Sequence, residues 1–166
     1  MTVATDGLAD VPDDAERVLV DVNALAIGLV DDHPGHEFVE PWFAAGFGGE
    51  FVLSVFDYHP FRAQYVMTTN FAVDTVAARN AVQSLLAQPV EIVSAARETL
   101  LAAYEISAAK NHDVYDCFLI SLARHHDADC LLTTDTDFAT LCEDESVAYA
   151  NPVPESVRRQ FDAVSG

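Results

Sequence analysis

"RVLVDVNALAIGLV", residues 17–30, changes its period halfway along. The first part, "RVLVD" (17–21), is short, β-branched and apolar, the pattern of a strand buried on both faces. "VNALAIGLV" then turns helical and gives way at "DDHPGH", where Pro34 and Gly35 mark a turn. The same alternation repeats outward along the chain. A helix is expected over 36–45, closed by "GFGG", and "EFVLS" (50–54) is the second strand. From Asp57 to Thr69 an apolar and aromatic helix holds Pro60 in its first turn. Asp74 caps "TVAARNAVQSLLA", which Pro89 ends. "VEIV" (90–93), "CLLTT" (130–134) and "VAYAN" (147–151) supply three further strands, separated by "AARETLLAAYEISA" and "VYDCFLISLARHH". A last helix is expected from Pro154 to Ala163. Strands alternating with helices predict a three-layer α/β/α sandwich with a mainly parallel sheet of four or five strands. Residues 1–15 are expected to form a flexible acidic N-terminus, and 16–164 a single domain.

Composition narrows the class. Just over half of the 166 residues are hydrophobic, enough for a core and too many for a disordered acidic chain. Acidic residues outnumber basic ones 27 to 8, a net charge of −19, and Lys110 is the one lysine. A surface this one-sided matches adaptation to high salt, the haloarchaeal type, where a Debye length of about 3 Å at 1 M screens self-repulsion. The alternative is an acidic surface built for a basic partner. Cys117, Cys130 and Cys142 are isolated beside apolar runs and read as buried thiols. No apolar run is long enough to cross a membrane, and the N-terminus lacks a basic segment followed by an apolar one, so a cytoplasmic protein is expected.

Four aspartates interrupt apolar runs. Asp21 closes the first strand, Asp116 lies early in "HDVYDCFLISLA", and Asp135 and Asp137 follow the late strand in "CLLTTDTDF". In a parallel sheet the carboxyl ends of the strands line the ligand crevice. Carboxylates gathered there repel one another unless a hard cation neutralises them, and oxygen donors suit Mg²⁺ or Mn²⁺. The pattern points to a metal-dependent enzyme acting on phosphates. Each residue also has a plainer reading. Asp21 is a common turn residue, Asn23 can orient that carboxylate or cap the helix, Asp113 is an N-cap, and Asp116 complements a helix dipole. One of Asp135 and Asp137 caps the short helix "FATLC". His33 and His36 read as solvent-exposed turn residues, and His112 as a satisfied loop histidine.

On "VLVDVNAL" and "YDCFLISLARHHDADCLLTTDTDF", the chain resembles the PIN-domain nucleases, which include the VapC toxins of prokaryotic toxin–antitoxin pairs. The resemblance spans residues 17–150. It implies that Asp21, Asp116 and Asp135 are catalytic metal ligands for Mg²⁺ or Mn²⁺ and that Asp137 is an accessory ligand. Asn23 and Thr133 would support them. It further implies endoribonuclease activity on RNA, an antitoxin partner and a homodimer.

One departure stands out. The family's Glu early in the helix after the second strand is missing from "LSVFDYHPFRAQYVMTT". Aligning on "YVM" places Arg62 near that slot, and aligning on Ser54 places Pro60 there. Asp57 or His59 can replace the carboxylate from a different height, while Arg62 can contact a phosphate or pair with a site acid. If the helix starts near Asp57, then Asp57, His59 and Arg62 share one face. The rival reading is a catalytically weakened PIN-like domain that binds RNA or protein. A receiver domain would need paired acids after the first strand, a haloacid-dehalogenase phosphatase D-x-D there, and a P-loop enzyme G-x-x-x-x-G-K-[ST]; none is present.

Overall fold

The computed structural model describes residues 14–165, with side chains through 161. Most of the expected acidic N-terminal segment, residues 1–13, lies outside the described residues. Five strands form one parallel sheet: β1 (Arg17–Val20), β2 (Val52–Phe56), β3 (Glu91–Val93), β4 (Cys130–Leu132) and β5 (Ala148–Ala150), in the order β3-β2-β1-β4-β5. β1 is central, and Val18, Leu19 and Val20 are at most 1% exposed, which is why its sequence is an unbroken apolar run. The eight described helices are α1 (Val22–Gly28), α2 (His36–Phe47), α3 (His59–Thr69), α4 (Thr75–Leu86), α5 (Arg97–Lys110), α6 (Val114–His125), α7 (Asp137–Leu141) and α8 (Glu155–Ser165).

The pleat of β1 sorts the helices into two layers. Val18 and Val20 face one core, filled by Leu25, Val39, Trp42, Ala63, Met67 and Leu85 from α1 to α4. Leu19 faces the other, filled by Ala103, Ile106, Leu119, Ile120, Leu122 and Phe138 from α5 to α7. From β1 the chain steps outward to β2 and β3, then returns to β4 on the other side of β1. The order therefore reverses between β1 and β4, and the crevice beyond their carboxyl ends is where such a sheet binds ligands.

Caps explain several boundaries. The carboxylates of Asp74 and Asp113 accept first-turn N–H groups of α4 and α6, and Asn111 ends α5 in the left-handed region at φ 49°. The second strand lies two residues later than expected, at 52–56. The chain must first leave α2: Gly48 donates to the Ala44 carbonyl, Gly49 takes φ 86°, and the Glu50 amide donates to Ala45. His33 also departs from expectation. It is buried, its ring centroid 4.5 Å from Phe71 and 4.6 Å from Phe161, and Nδ1 accepts from the Gly35 amide at 2.9 Å. Burial, then neighbouring His36, push its pKa down to about 4. His36 is half-buried, hydrogen-bonded to the Ile27 carbonyl at 3.0 Å, with Asp31 at 3.4 Å. His33 is tucked under aromatic side chains, while Asp31 and Asp32 of the same turn stay exposed.

Close packing of α1 on α2 depends on Gly28, because a Cβ there would run into the Phe43 ring. Gly28→Ala is expected to lower stability by about 1–2 kcal/mol, since overpacking outweighs the helix-propensity gain of about 0.5–1 kcal/mol. In a thermal melt this is a drop of about 2–8 °C. An unchanged melting temperature would mean that α1 and α2 pack less closely.

Candidate metal centre

Asp21 follows the last residue of β1, and its amide donates to the Leu132 carbonyl at 2.9 Å, so the residue is fixed against β4. Its carboxylate is held from two sides. Oδ1 accepts from the Val22 amide at 2.7 Å, the N-terminus of α1, and Oδ2 accepts from the Thr133 hydroxyl at 2.8 Å. Thr133 in turn accepts the Asp135 amide at 3.0 Å, and Asp135 Oδ1 accepts the Asp137 amide at 2.9 Å. The turn after β4 is thus wound around its own acids, with Asp135 taking a first-turn N–H of α7. Thr136 is the N-cap position and makes no side-chain cap bond.

Asp116 comes from the first turn of α6, and its Oδ2 lies 2.9 Å from His112 Nε2. One ligating atom each from His112, Asp116 and Asp137 lies within 4.8 Å of the others, the only such set among the described residues. Asp21 and Asp135, expected as ligands beside Asp116, stand outside that set and are coupled to Asp116 by charge. Burial raises the Asp21 pKa to about 6, against the two hydrogen bonds, and Asp135 and Asp116 raise it further. Burial also raises that of Asp116, the His112 hydrogen bond opposes, and Asp135 and Asp113 add repulsion. Lys110 anchors the far side of the group, donating to the Leu141 carbonyl at 2.8 Å and to Asp144 at 2.6 Å. Glu145, held by Lys110 and by both Arg124 nitrogens at 2.7 Å, locks the segment after α7 onto α6. A cleft lined by Lys110, His112, Asp137, Thr140 and Asp144 opens beside the three ligating groups.

The remaining expected site residues divide. Asn23 is exposed in the first turn of α1, and Asp113 caps α6. Asp57 is exposed and accepts from the Ser94 hydroxyl at 3.0 Å. Arg62 is exposed, makes no ion pair among the described residues, and lies 5.3 Å over the Tyr65 ring. α3 begins at His59, so Asp57, His59 and Arg62 do not share a face: His59 turns inward at 1% exposure while Arg62 turns out.

His59 Nε2 lies 2.8 Å from the Tyr115 hydroxyl. Burial lowers the His59 pKa to about 4, the Val20 carbonyl opposing and Arg62 reinforcing, so the ring is neutral at pH 7. The Tyr115 pKa is pushed up to about 12, first by burial and then by Asp21, with Arg62 opposing and Asp116 adding. Tyr115 therefore stands in the field of the acids, and a neutral His–Tyr pair occupies the side of the site that α3 supplies. The sequence assigns no role to Tyr115, and it allows His112 a place near the acids while favouring a satisfied loop histidine. The signal for His112 was its i−4 spacing from Asp116; none marked Tyr115.

A family model described as PIN domain matches residues 18–144. No curated protein matches. Among solved structures, the chain is similar to Mycobacterium tuberculosis VapC20, described as a sarcin–ricin-loop-cleaving toxin. The TM-score is 0.61 at 14% identity, over 75% of this chain and 94% of that one. It is similar also to Rickettsia felis VapBC2 bound to a DNA fragment from its promoter, with a TM-score of 0.59 at 14% identity over 81% and 98% of the two chains.

Proposed function

The chain belongs to the PIN domain family, and from that premise we propose that it is a divalent-metal-dependent endoribonuclease, the toxin of a toxin–antitoxin pair. The observation that carries the reading is the approach of Asp116, Asp137 and His112 to one another, beside Asp21 and Asp135 at the ends of β1 and β4, with the carboxyl pKa values of Asp21 and Asp116 raised first by burial. Such a set is uncomfortable without a cation, and its oxygen donors fit Mg²⁺ or Mn²⁺. Asp21, Asp116 and Asp135 would hold the ion with Asp137 as an accessory. When bound, the ion supplies a Lewis acid for phosphoryl oxygens and lowers the pKa of the attacking water. Thr133 and the α1 N-terminus orient Asp21, and His112 orients Asp116, as partners of ligating carboxylates do. Tyr115, backed by His59, faces the same space with a neutral hydroxyl.

An antitoxin would fill the acidic groove with a basic or apolar segment, and the exposed Leu100, Leu101 and Tyr104 on α5 suit a homodimer contact. One observation favours the rival reading of a weakened, binding-only domain: α3 carries no Glu, and the histidine it turns inward is neutral at pH 7. A cleavage assay on total RNA, end-mapped, with Mg²⁺, Mn²⁺ or chelator, separates the two. Metal-dependent fragments with defined ends are expected, and binding without cleavage in either metal would favour the rival.

A divalent ion that binds only the folded chain must stabilise it, so a hundredfold excess of Mn²⁺ over its dissociation constant is expected to add about 2.7 kcal/mol. The melting temperature should rise by about 5–10 °C and return in chelator. No shift with Mn²⁺ or Mg²⁺ would remove the metal centre.

A further inference from the structure

The outer face of α3 carries Tyr58, Phe61, Arg62 and Tyr65 at spacings of three, four and seven, one continuous stripe. The three rings are 58%, 68% and 57% exposed, high values for aromatic side chains. Tyr58 and Phe61 lie 5.8 Å apart between ring centroids, and the Arg62 guanidinium rests 5.3 Å over Tyr65. Core packing explains none of this, because α3 fills the interior with His59, Ala63, Val66 and Met67 from its other side.

Two observations say what covers the stripe. The first is charge. Arg17, Lys110, Arg124 and Arg159 are each spent on a carboxylate; among the described residues Arg62, Arg79, Arg97 and Arg158 form no ion pair, and of these Arg62 is the one that lies over an aromatic ring. An unneutralised guanidinium amid aromatic rings suits a phosphate chain with bases attached. The second is continuity with the acid cluster: Arg62 acts electrostatically on both His59 and Tyr115, and Tyr115 adjoins Asp116. The net charge of −19 sharpens the point. Such a chain repels a polyanion at long range, so affinity has to come from short-range contacts, and base–aromatic stacking is one that needs no protein charge.

The geometry points to this stripe as the single-stranded RNA platform of the enzyme, with bases stacked on Phe61, Tyr58 and Tyr65 and a backbone phosphate on Arg62. The inference rests on the ribonuclease reading and names how that site holds its substrate. Ring faces accept any base, so the platform contributes affinity and strand direction toward Asp116, and little sequence choice.

The test uses full-length Asp116→Asn protein, fluorescence anisotropy, and two probes: a short oligoadenylate RNA and an abasic chain of equal length. Phe61→Ala and Tyr65→Ala are each expected to weaken oligoadenylate binding about tenfold and leave abasic binding unchanged. Phe61→Trp should retain affinity. Arg62→Ala should weaken both probes and reduce the salt slope by about one. Equal affinity of the parent for the two probes, or alanine variants that bind like the parent, overturns the platform. If those variants also pass from dimer to monomer in light scattering, a second copy of the chain is the occupant instead. Cleavage by otherwise wild-type Phe61→Ala with unchanged KM sinks the platform and leaves the nuclease. Stacking-dependent binding without cleavage by the wild type does the reverse.

Discussion

Asp116→Asn is expected to abolish RNA cleavage while leaving a folded protein that melts no earlier than the wild type in chelator. Asn keeps the shape and can still meet His112 Nε2, which sits 2.9 Å from Asp116 Oδ2. What it removes is a carboxylate already held above its usual pKa by burial, with Asp135 and Asp113 opposing its charge. Without metal, burial and those two neighbours oppose the charge while His112 favours it, so removing the carboxylate is expected to cost little stability. With metal it is a donor at the centre of the tightest ligand set. Losing a partner that merely orients a ligand costs about 10–100-fold, so losing the ligand should cost at least about 100-fold in activity. The Mn²⁺-induced rise in melting temperature should shrink with it. Circular dichroism guards against misfolding, and Asp137→Asn supplies an independent lesion on α7. Full activity in Asp116→Asn, or in excess chelator, would refute the assignment.

The layers and the parallel sheet were legible because the strands are short, mainly apolar runs that alternate with helices and are set off by turn chemistry. Arg17–Val20, Glu91–Val93 and Cys130–Leu132 lie within the stretches read as strands. Asp21 was legible for a related reason, since an aspartate directly after a buried strand has no packing role, whereas Asp135 stands three residues beyond the end of β4, in the turn that follows. What failed was helix phase. A two-residue change in where β2 ends turns the following helix by about 200°. With the strand placed at 50–54, nothing distinguished an inward His59 from an outward Arg62. Placed at 52–56, the chain swings His59 into the core against Tyr115 and leaves Arg62 on Tyr65. His112 was hidden differently. It lies in the turn between α5 and α6, and only the left-handed Asn111 before it folds the ring back over Asp116. Such a reversal is a single backbone angle, and no periodic pattern announces it.

Asp21→Asn is the second large effect, and its sign depends on pH. In the folded chain the Asp21 pKa stands at about 6, against 3.8 when exposed. Between those values the folded protein keeps a proton that the unfolded chain has lost, so wild-type stability falls as pH rises, and the cost is complete above about pH 6. A rise of that size is worth about 3 kcal/mol. Asn recovers only part of it. The Val22 amide and the Thr133 hydroxyl both donate to the carboxylate, and an amide offers them one oxygen in place of two. A gain of about 1–2 kcal/mol, or about 2–8 °C in chelator at pH 8, is expected, shrinking to nothing near pH 4. Buried His33 and His59 titrate in the opposite sense, since pKa values lowered to about 4 cost stability as pH falls below about 6.5. Their contributions cancel in the difference between variant and wild type, which is the quantity to measure. A difference flat from about pH 4 to about pH 8 would mean that Asp21 is ionised throughout. Metal acts on the same proton. A cation takes the deprotonated carboxylate, so Mn²⁺ affinity and cleavage should both fall about tenfold per pH unit below pH 6 in the wild type. Burial, with Asp135 and Asp116 adding to it, thus makes Asp21 costly in the metal-free fold, and a cation at that carboxylate relieves the repulsion. The substitution that stabilises the empty protein is for that reason the one that should leave it inactive.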